Sequence, residues 1–329
     1  MKRAIGRTGR NLNPIGLGCM GLSGVYNAPL DPASAVRLLQ DAIDLGVEHF
    51  DTAEVYGLTK NEELLGAAFH DRRNQVFIAT KWGPTFDIAT GKRGPIDGTP
   101  ANCRRAVEGS LKRLRTEVID LYYLHRVDPK TPIEDSVGAM AQLVKEGKIR
   151  LIGLSEPSAE TIRKAALIAP IAAVQSEYSI FTRDVEDGRL AAMEAIGASL
   201  VAYSPVGRGI LTGAMKRDAR PAGHDDFRNT TVPRFNEENY AVNLDLVREI
   251  ESIAAELSAR AAQVALAWVL TRSPIIHAIP GTTRLENLKT NLNAEHIVLS
   301  AGQIKRLNAL GARVAGARYT PIGLSAVNR

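Results

Sequence analysis

The chain has little of several things, and each shortage excludes a class of protein. Two cysteines, Cys19 and Cys103, in 329 residues are too few for a disulfide framework. The N-terminal MKRAIGRTGRN carries no apolar stretch of secretory type, so a reducing cytoplasm is the expected location. No apolar run reaches the roughly 18 residues that a bilayer span requires. The run at 165–174 is short and contains Pro170, so no membrane insertion is expected. Six histidines, at 49, 70, 125, 224, 277 and 296, include no pair at i, i+4 and no Cys-His cluster, which leaves metal chemistry without a ligand pattern. Aromatic residues make up 5%, so sugar-stacking platforms would be few. Basic residues exceed acidic ones only by 41 to 36 and are scattered. The densest cluster, Arg104, Arg105, Lys112, Arg113 and Arg115, falls on a helical pattern with Glu108 among it. That reads as a solvated helix face, and no nucleic-acid partner is expected.

What remains is a globular composition, 45% hydrophobic and 23% charged, with ample material for a buried core. Strand-like apolar runs at 15–18, 48–51, 76–80, 119–124, 151–154, 172–175, 200–202 and 275–279 alternate with amphipathic patterns at 34–45, 61–69, 100–114, 133–145, 159–169 and 185–196. Asp31-Pro32 supplies a cap and a first-turn proline for the first of these helices, and Gly46 stops it. Strands apolar on both faces and separated by helices call for a parallel sheet covered by helices. Eight such units suit a closed α/β barrel of (β/α)8 type, for which about 250 residues is typical. The surplus has places: an N-terminal hairpin plugging the barrel bottom, a long loop at 207–240 over the active-site face, an extra helix before the eighth strand, and a tail after Leu310. No linker marks a second domain, so residues 1–329 read as one barrel domain. Nothing in the pattern sets an oligomeric state.

In such a barrel the C-terminal ends of the strands build the active site. Asp51, Lys81 and His125 end three successive strands, and Tyr56 sits in the loop after the first of them. Each has an ordinary reading by itself, as a turn cap, a solvated strand end, a core histidine or a loop aromatic. Together those readings require four coincidences on one rim. A phenol beside an ammonium has its pKa lowered and can give a proton to a carbonyl oxygen. Burying the ammonium calls for a carboxylate partner, and Asp51 is the candidate. His125 can donate a hydrogen bond to the same carbonyl oxygen and fix its direction.

These residues lie in motifs that resemble the aldo-keto reductase family: GLGCMG at 16–21, FDTAEVYG at 50–57, ATKW at 79–82, DLYYLH at 120–125, IGLSE at 152–156, VQSEYS at 174–179, AYSPVGRG at 202–209 and IPGTTRLENL at 279–288. The resemblance covers almost the whole chain. It implies a TIM barrel binding NADPH without a Rossmann fold, and reduction of aldehydes or ketones. Tyr56 would be the general acid, tuned by Lys81 and Asp51, with His125 orienting the carbonyl. It further implies that Ser155 and Gln175 hold the nicotinamide carboxamide and that Tyr203 stacks on the ring. Ser204, Val206, Gly207 and Gly209 would lie along the pyrophosphate, with Asn287 near the 2′-phosphate and Asn291 near the adenine. Many members have asparagine where this chain has Glu156, which puts the carboxamide contact there in doubt.

The eighth strand end, Gly281-Thr282-Thr283, leads into a helix at Arg284. Free N–H groups at a helix start favour an anion. An arginine there opposes the helix dipole unless it faces a negative partner, for which the 2′-phosphate is suited. Met20, Tyr26, Trp82 and Phe86 are expected to line the substrate pocket, with help from the tail around Tyr319. Three other readings compete. GLGCMG matches GxGxxG, but Gly24, Asn27 and Pro29 follow it instead of a helix. Glu156 and Glu177, near the ends of strands five and six, could serve as the carboxylate pair of a barrel glycosidase. The family resemblance also allows a non-catalytic, NADPH-binding regulatory subunit.

Overall fold

A computed structural model describes residues 1–26, 28–221 and 226–328; Asn27 and the part of the long loop that contains His224 lie outside them. The chain opens with a small antiparallel hairpin, β1 (Arg3–Ala4) and β2 (Asn11–Leu12). Strand and helix then alternate through β3 (Leu17–Gly18), α1 (Pro32–Asp44), β4 (His49–Asp51), α2 (Lys60–Phe69) and β5 (Phe77–Trp82). A second hairpin, β6 (Pro84–Phe86) and β7 (Arg93–Ile96), intervenes before α3 (Pro100–Leu114). The alternation resumes with β8 (Ile119–Leu124), α4 (Ile133–Lys145), β9 (Ile149–Ser155), α5 (Ala159–Ile168), β10 (Ile171–Glu177), α6 (Arg189–Ile196) and β11 (Ser199–Tyr203). After β11 come the short α7 (Phe227–Thr231), then α8 (Glu237–Glu256) and α9 (Ala261–Thr271), before β12 (Ile276–Ala278). Three helices close the chain: α10 (Leu285–Leu292), α11 (Ala301–Leu310) and α12 (Pro321–Ser325).

The eight strands β3, β4, β5, β8, β9, β10, β11 and β12 lie side by side in that order and all run parallel. The sheet curls round on itself. Parallel bridges join Ile15 to Ala278 and Gly18 to Gly281, and Ala278 N–H donates to Pro14 O at 2.7 Å, so the first and last strands meet. This is the expected TIM barrel. Local signals set its helices: Asp31 caps α1 through Ser34 N–H, Thr99 caps α3 and Ser158 caps α5. The sixth helix starts later than its apolar pattern, at Arg189, because 184–186 tightens into a 3-10 turn and Gly188 takes φ 111°. The GLGCMG segment forms only a short 3-10 turn at Met20–Ser23, and the first α-helix waits until Pro32.

The strand period of two divides the core into two layers. Phe77, Ala79, Leu121, Tyr123, Ala173 and Val201 fill the barrel interior together with Ile5 and Leu12, so the N-terminal hairpin stops the barrel as expected. The other face of each strand packs under the helices. Trp82 belongs to that outer layer, which corrects its expected place in the substrate pocket. It is fully buried and stacks on Tyr122 with ring centroids 6.3 Å apart. The alternation that sends Lys81 inward sends its neighbour outward. Both cysteines are free and buried, and burial pushes the Cys103 thiol up to about 12, so it is no nucleophile at neutral pH. Among the described residues no single helix is long and apolar enough to cross a membrane.

Candidate active site

Asp51 ends β4, Lys81 lies next to last in β5, and His125 follows β8 directly, so the parallel register brings three ionisable groups to one rim. The loop carrying Tyr56 is fastened to that rim by its backbone. Thr52 N–H donates to Ala79 O at 2.9 Å and Glu54 N–H to Lys81 O at 3.0 Å. The Glu54 carboxylate accepts a fork from Arg105 at 2.9 and 3.0 Å, and Asn61 ties Thr52 to the carbonyl of Cys19 in the first loop. Gly57 turns the chain at φ 56°, and a Cβ there would come within 2.6 Å of Ser23 Cβ, so only glycine lets the two loops touch.

Lys81 is the hub. Its ammonium donates to Asp51 Oδ1 at 2.5 Å, to Thr52 O at 2.7 Å and to the Tyr56 hydroxyl at 3.3 Å. Asp51 Oδ2 accepts from the Gln175 amide at 2.7 Å. The His125 ring stands edge-on to Tyr56, centroids 5.8 Å apart at 82°. All four expected catalytic residues therefore share one cluster. A cavity of about 660 Å³ at the other end, bordered by Met1, Gly6 and Ser199, involves none of them.

Burial raises the Tyr56 phenol above its ordinary value, and the Lys81 ammonium opposes that rise without cancelling it. The expected lowering is corrected accordingly: desolvation wins, and the phenol holds its proton at neutral pH. Burial pushes Lys81 down, but Asp51 and Tyr56 more than restore it, so it stays an ammonium. Burial raises Asp51 against the pull of Lys81. His125 is driven well below its ordinary value by burial and then by the charges of Lys81, Arg126 and Arg93. A neutral imidazole beside a protonated phenol offers two hydrogen-bond donors side by side.

Beside this cluster lie the residues expected for a nicotinamide. Ser155 and Gln175 are buried at the ends of β9 and β10, and Ser155 Oγ accepts from Arg126 Nη1 at 3.1 Å. The Tyr203 hydroxyl donates to Glu156 Oε1 at 2.9 Å and lies 2.9 Å from the Tyr319 hydroxyl. Glu156 resolves the doubt about its position by serving the protein itself. Held at φ 54°, it accepts a fork from Arg318 at 2.8 and 2.9 Å and the Glu177 N–H at 2.9 Å. Burial alone would raise its carboxyl, but Arg318, Arg126 and that N–H hold it at about 2. Glu177 is likewise taken, by Arg208 at 2.8 Å and by Thr182 at 2.9 Å. A glycosidase needs one carboxyl kept protonated, and Glu156 is the opposite case.

The loop after β11 is bent by left-handed residues at Ser204 (φ 48°), Gly207 (59°), Arg208 (57°) and Gly209 (98°), with Val206 between them. Gly281, Thr282 and Thr283 follow β12, and Arg284 stands exposed at the start of α10 with no ion pair among the described residues. Asn287 is exposed and Asn291 buried on that helix. Met20 and Phe86 are half-buried, on the first βα loop and the second hairpin. The Tyr26 hydroxyl accepts from Arg208 at 3.4 Å, and Arg208 also stacks over Tyr319, 4.8 Å from its centroid. Three arginines here, Arg126, Arg208 and Arg318, went unnoticed in the sequence. Arg208 stands between two glycines that were singled out and Arg126 directly follows His125, so position was the available signal. Arg318 had none, because its partner is 162 residues away.

Comparison with known proteins agrees with this arrangement. The model of the aldo/keto reductase family matches residues 14–312. A probable aldo-keto reductase of Glycine max is 41% identical over 323 residues, covering 96% of this chain and 90% of the other. The NADP(+) aldo-keto reductase yakc of Schizosaccharomyces pombe is 42% identical over 315 residues, covering 93% and 91%. Among solved structures, the glycerol dehydrogenase of Gluconobacter oxydans superposes with a TM-score of 0.87 at 31% identity, covering 97% of this chain and 98% of that one. A thermostable aldo-keto reductase solved with the inhibitor epalrestat gives 0.76 at 34%, covering 94% and 100%. With barrel, rim cluster and relatives in agreement, this chain belongs to the aldo/keto reductase family of carbonyl oxidoreductases.

Proposed function

We propose that the protein reduces aldehydes or ketones to alcohols with NADPH, Tyr56 giving the proton and His125 orienting the carbonyl. The observation that carries this reading is the contact of the Tyr56 hydroxyl with Lys81 Nζ at 3.3 Å, backed by Asp51 at 2.5 Å. A phenol held protonated by burial is the acid that reduction needs. Once the proton leaves, the adjacent ammonium stabilises the phenolate, and the permanent Lys81–Asp51 pair keeps that ammonium charged. The neutral His125 directs an N–H at the same oxygen, and its Nδ1 has no protein partner among the described residues.

The residues present fit a nicotinamide dinucleotide. The start of α10 has no side-chain cap, and Arg284 beside it has no carboxylate partner among the described residues, a donor set suited to the 2′-phosphate. Ser155 and the Gln175 amide oxygen can hold a carboxamide, with Tyr203 as the flat wall and the loop at 204–209 along the pyrophosphate. When bound, the cofactor supplies the hydride. Its relative from Schizosaccharomyces pombe carries NADP(+) in its name, which favours the phosphorylated form here. The test is loss of the reduced cofactor's near-ultraviolet absorbance on mixing with a panel of aldehydes and ketones. Turnover supports the reading; tight cofactor binding with no turnover across the panel would instead favour a regulatory subunit.

A further inference from the structure

Among the described residues, the buried and half-buried arginines around this mouth are paired, with one exception. Arg208 has Glu177 at 2.8 Å, Arg318 has Glu156 at 2.8 Å and Arg228 has Asp226 at 2.6 Å. Arg126 has no carboxylate within ion-pair distance among the described residues. Its two hydrogen bonds there both leave from Nη1, to His125 O at 2.7 Å and Ser155 Oγ at 3.1 Å. These bonds fix the guanidinium plane and leave the Nε–Nη2 edge without an acceptor among the described residues. That is an edge from which arginine grips a carboxylate with two parallel bonds.

The place matters as much as the edge. Arg126 directly follows His125, is half-buried, and its charge reaches His125 and Tyr56 on one side and Tyr203, Tyr319 and Glu156 on the other. Glu156 is engaged elsewhere, both its oxygens accepting from Arg318. Guanidinium does not shed its proton, and Tyr203, Tyr319 and Glu156 offset its burial from a distance without accepting a hydrogen bond from that edge among the described residues. An anion arriving beside the carbonyl would meet that edge directly. Arg93, exposed on the hairpin above and felt by His125, adds a second positive charge to the approach.

We infer that Arg126 is a specificity residue, and that the preferred substrates are short carbonyl compounds bearing a carboxylate, which seats on the Nε–Nη2 edge while the carbonyl faces Tyr56 and His125. This rests on the reductase reading above. The experiment compares 4-oxobutanoate with its methyl ester, which keeps the aldehyde and removes the charge, in the wild-type enzyme, Arg126→Gln and Arg126→Lys. Charge-assisted pairing predicts that kcat/KM favours the acid over the ester by roughly ten- to hundredfold in the wild type. Arg126→Gln collapses that ratio towards one, and Arg126→Lys, a point charge without the fork, falls between. A wild-type ratio near one, or a ratio unchanged in Arg126→Gln, overturns the inference while ester turnover leaves the reductase reading intact. An acid effect matched by weaker NADPH binding would reassign Arg126 to the cofactor and overturn it as well. If no carbonyl turns over, calorimetric titration of the NADPH complex with 4-oxobutanoate decides independently: heat of binding in the wild type that Arg126→Gln abolishes supports the site, and no heat refutes it.

Discussion

Lys81 Nζ lies 2.5 Å from Asp51 Oδ1 with the lysine side chain fully buried and the aspartate only 4% exposed, so each charge is the other's principal compensation. Removing one leaves the other stranded. Lys81→Met should cost about 3–5 kcal/mol in a denaturant titration because Asp51 keeps only the Gln175 amide. Adding Asp51→Asn to Lys81→Met should recover much of that loss. A double variant no more stable than Lys81→Met would contradict the pairing.

Arg318 joins the tail through Glu156 to Tyr203, the proposed wall of the nicotinamide site, whose hydroxyl Glu156 holds. Arg318→Met should therefore loosen two things at once. Amide exchange in the tail should quicken, since Asn328 is also anchored to the loop after β9, and cofactor affinity should fall by roughly tenfold as Tyr203 loses its fixed orientation. Unaltered exchange and affinity would show that the tail does not position that wall.

On the proposed function, Arg284 is the residue that distinguishes the two nicotinamide coenzymes. Arg284→Ala should raise the Michaelis constant for NADPH by roughly ten- to hundredfold through loss of a charge-assisted contact, with a much smaller change for NADH. Equal changes in initial-rate assays with the two coenzymes would remove the assignment.

Acid should destabilise the fold before the carboxylates titrate. His49 is buried with both ring nitrogens unpartnered among the described residues, and burial, with the charges of His277 and Lys81, lowers its pKa to about 3. Its folded value lies below the unfolded one, so its contribution is complete above about pH 6.5 and is lost as the pH falls towards the folded value. His277 and His125 shift the same way. Each adds up to about 1.4 kcal/mol of lost stability per pH unit. Denaturant midpoints from about pH 6.5 to about pH 5 should show that slope, and His49→Leu should flatten it. An unchanged slope in the variant would assign the acid sensitivity elsewhere.

The barrel was legible because its signals are local. Eight apolar runs with caps such as Asp31 and Thr99 between them specify strands and helices without knowledge of their neighbours. The proposed catalytic cluster was legible for a related reason, since Asp51, Lys81 and His125 each sit at or beside a strand end, and parallel strands bring their ends together. Contacts across the sequence were not legible. The grip of Arg318 on Glu156 leaves no pattern in either segment, so Glu156 read only as a departure from the family. Trp82 was misplaced because motif position was followed where strand alternation decides the facing. The sign of the Tyr56 shift depends on how completely the phenol is enclosed, which the residue types do not reveal.

The most direct measurement follows reduced-cofactor oxidation by an aldehyde in the wild type and in Tyr56→Phe, with cofactor affinity determined alongside. The wild type should react at a rate nearly level from about pH 6 to about pH 9, since burial keeps the phenol protonated across that range. Tyr56→Phe should react roughly 10²- to 10⁴-fold more slowly while binding cofactor within about twofold of the wild type. Reaction of Tyr56→Phe at the wild-type rate would show that the proton comes from another group.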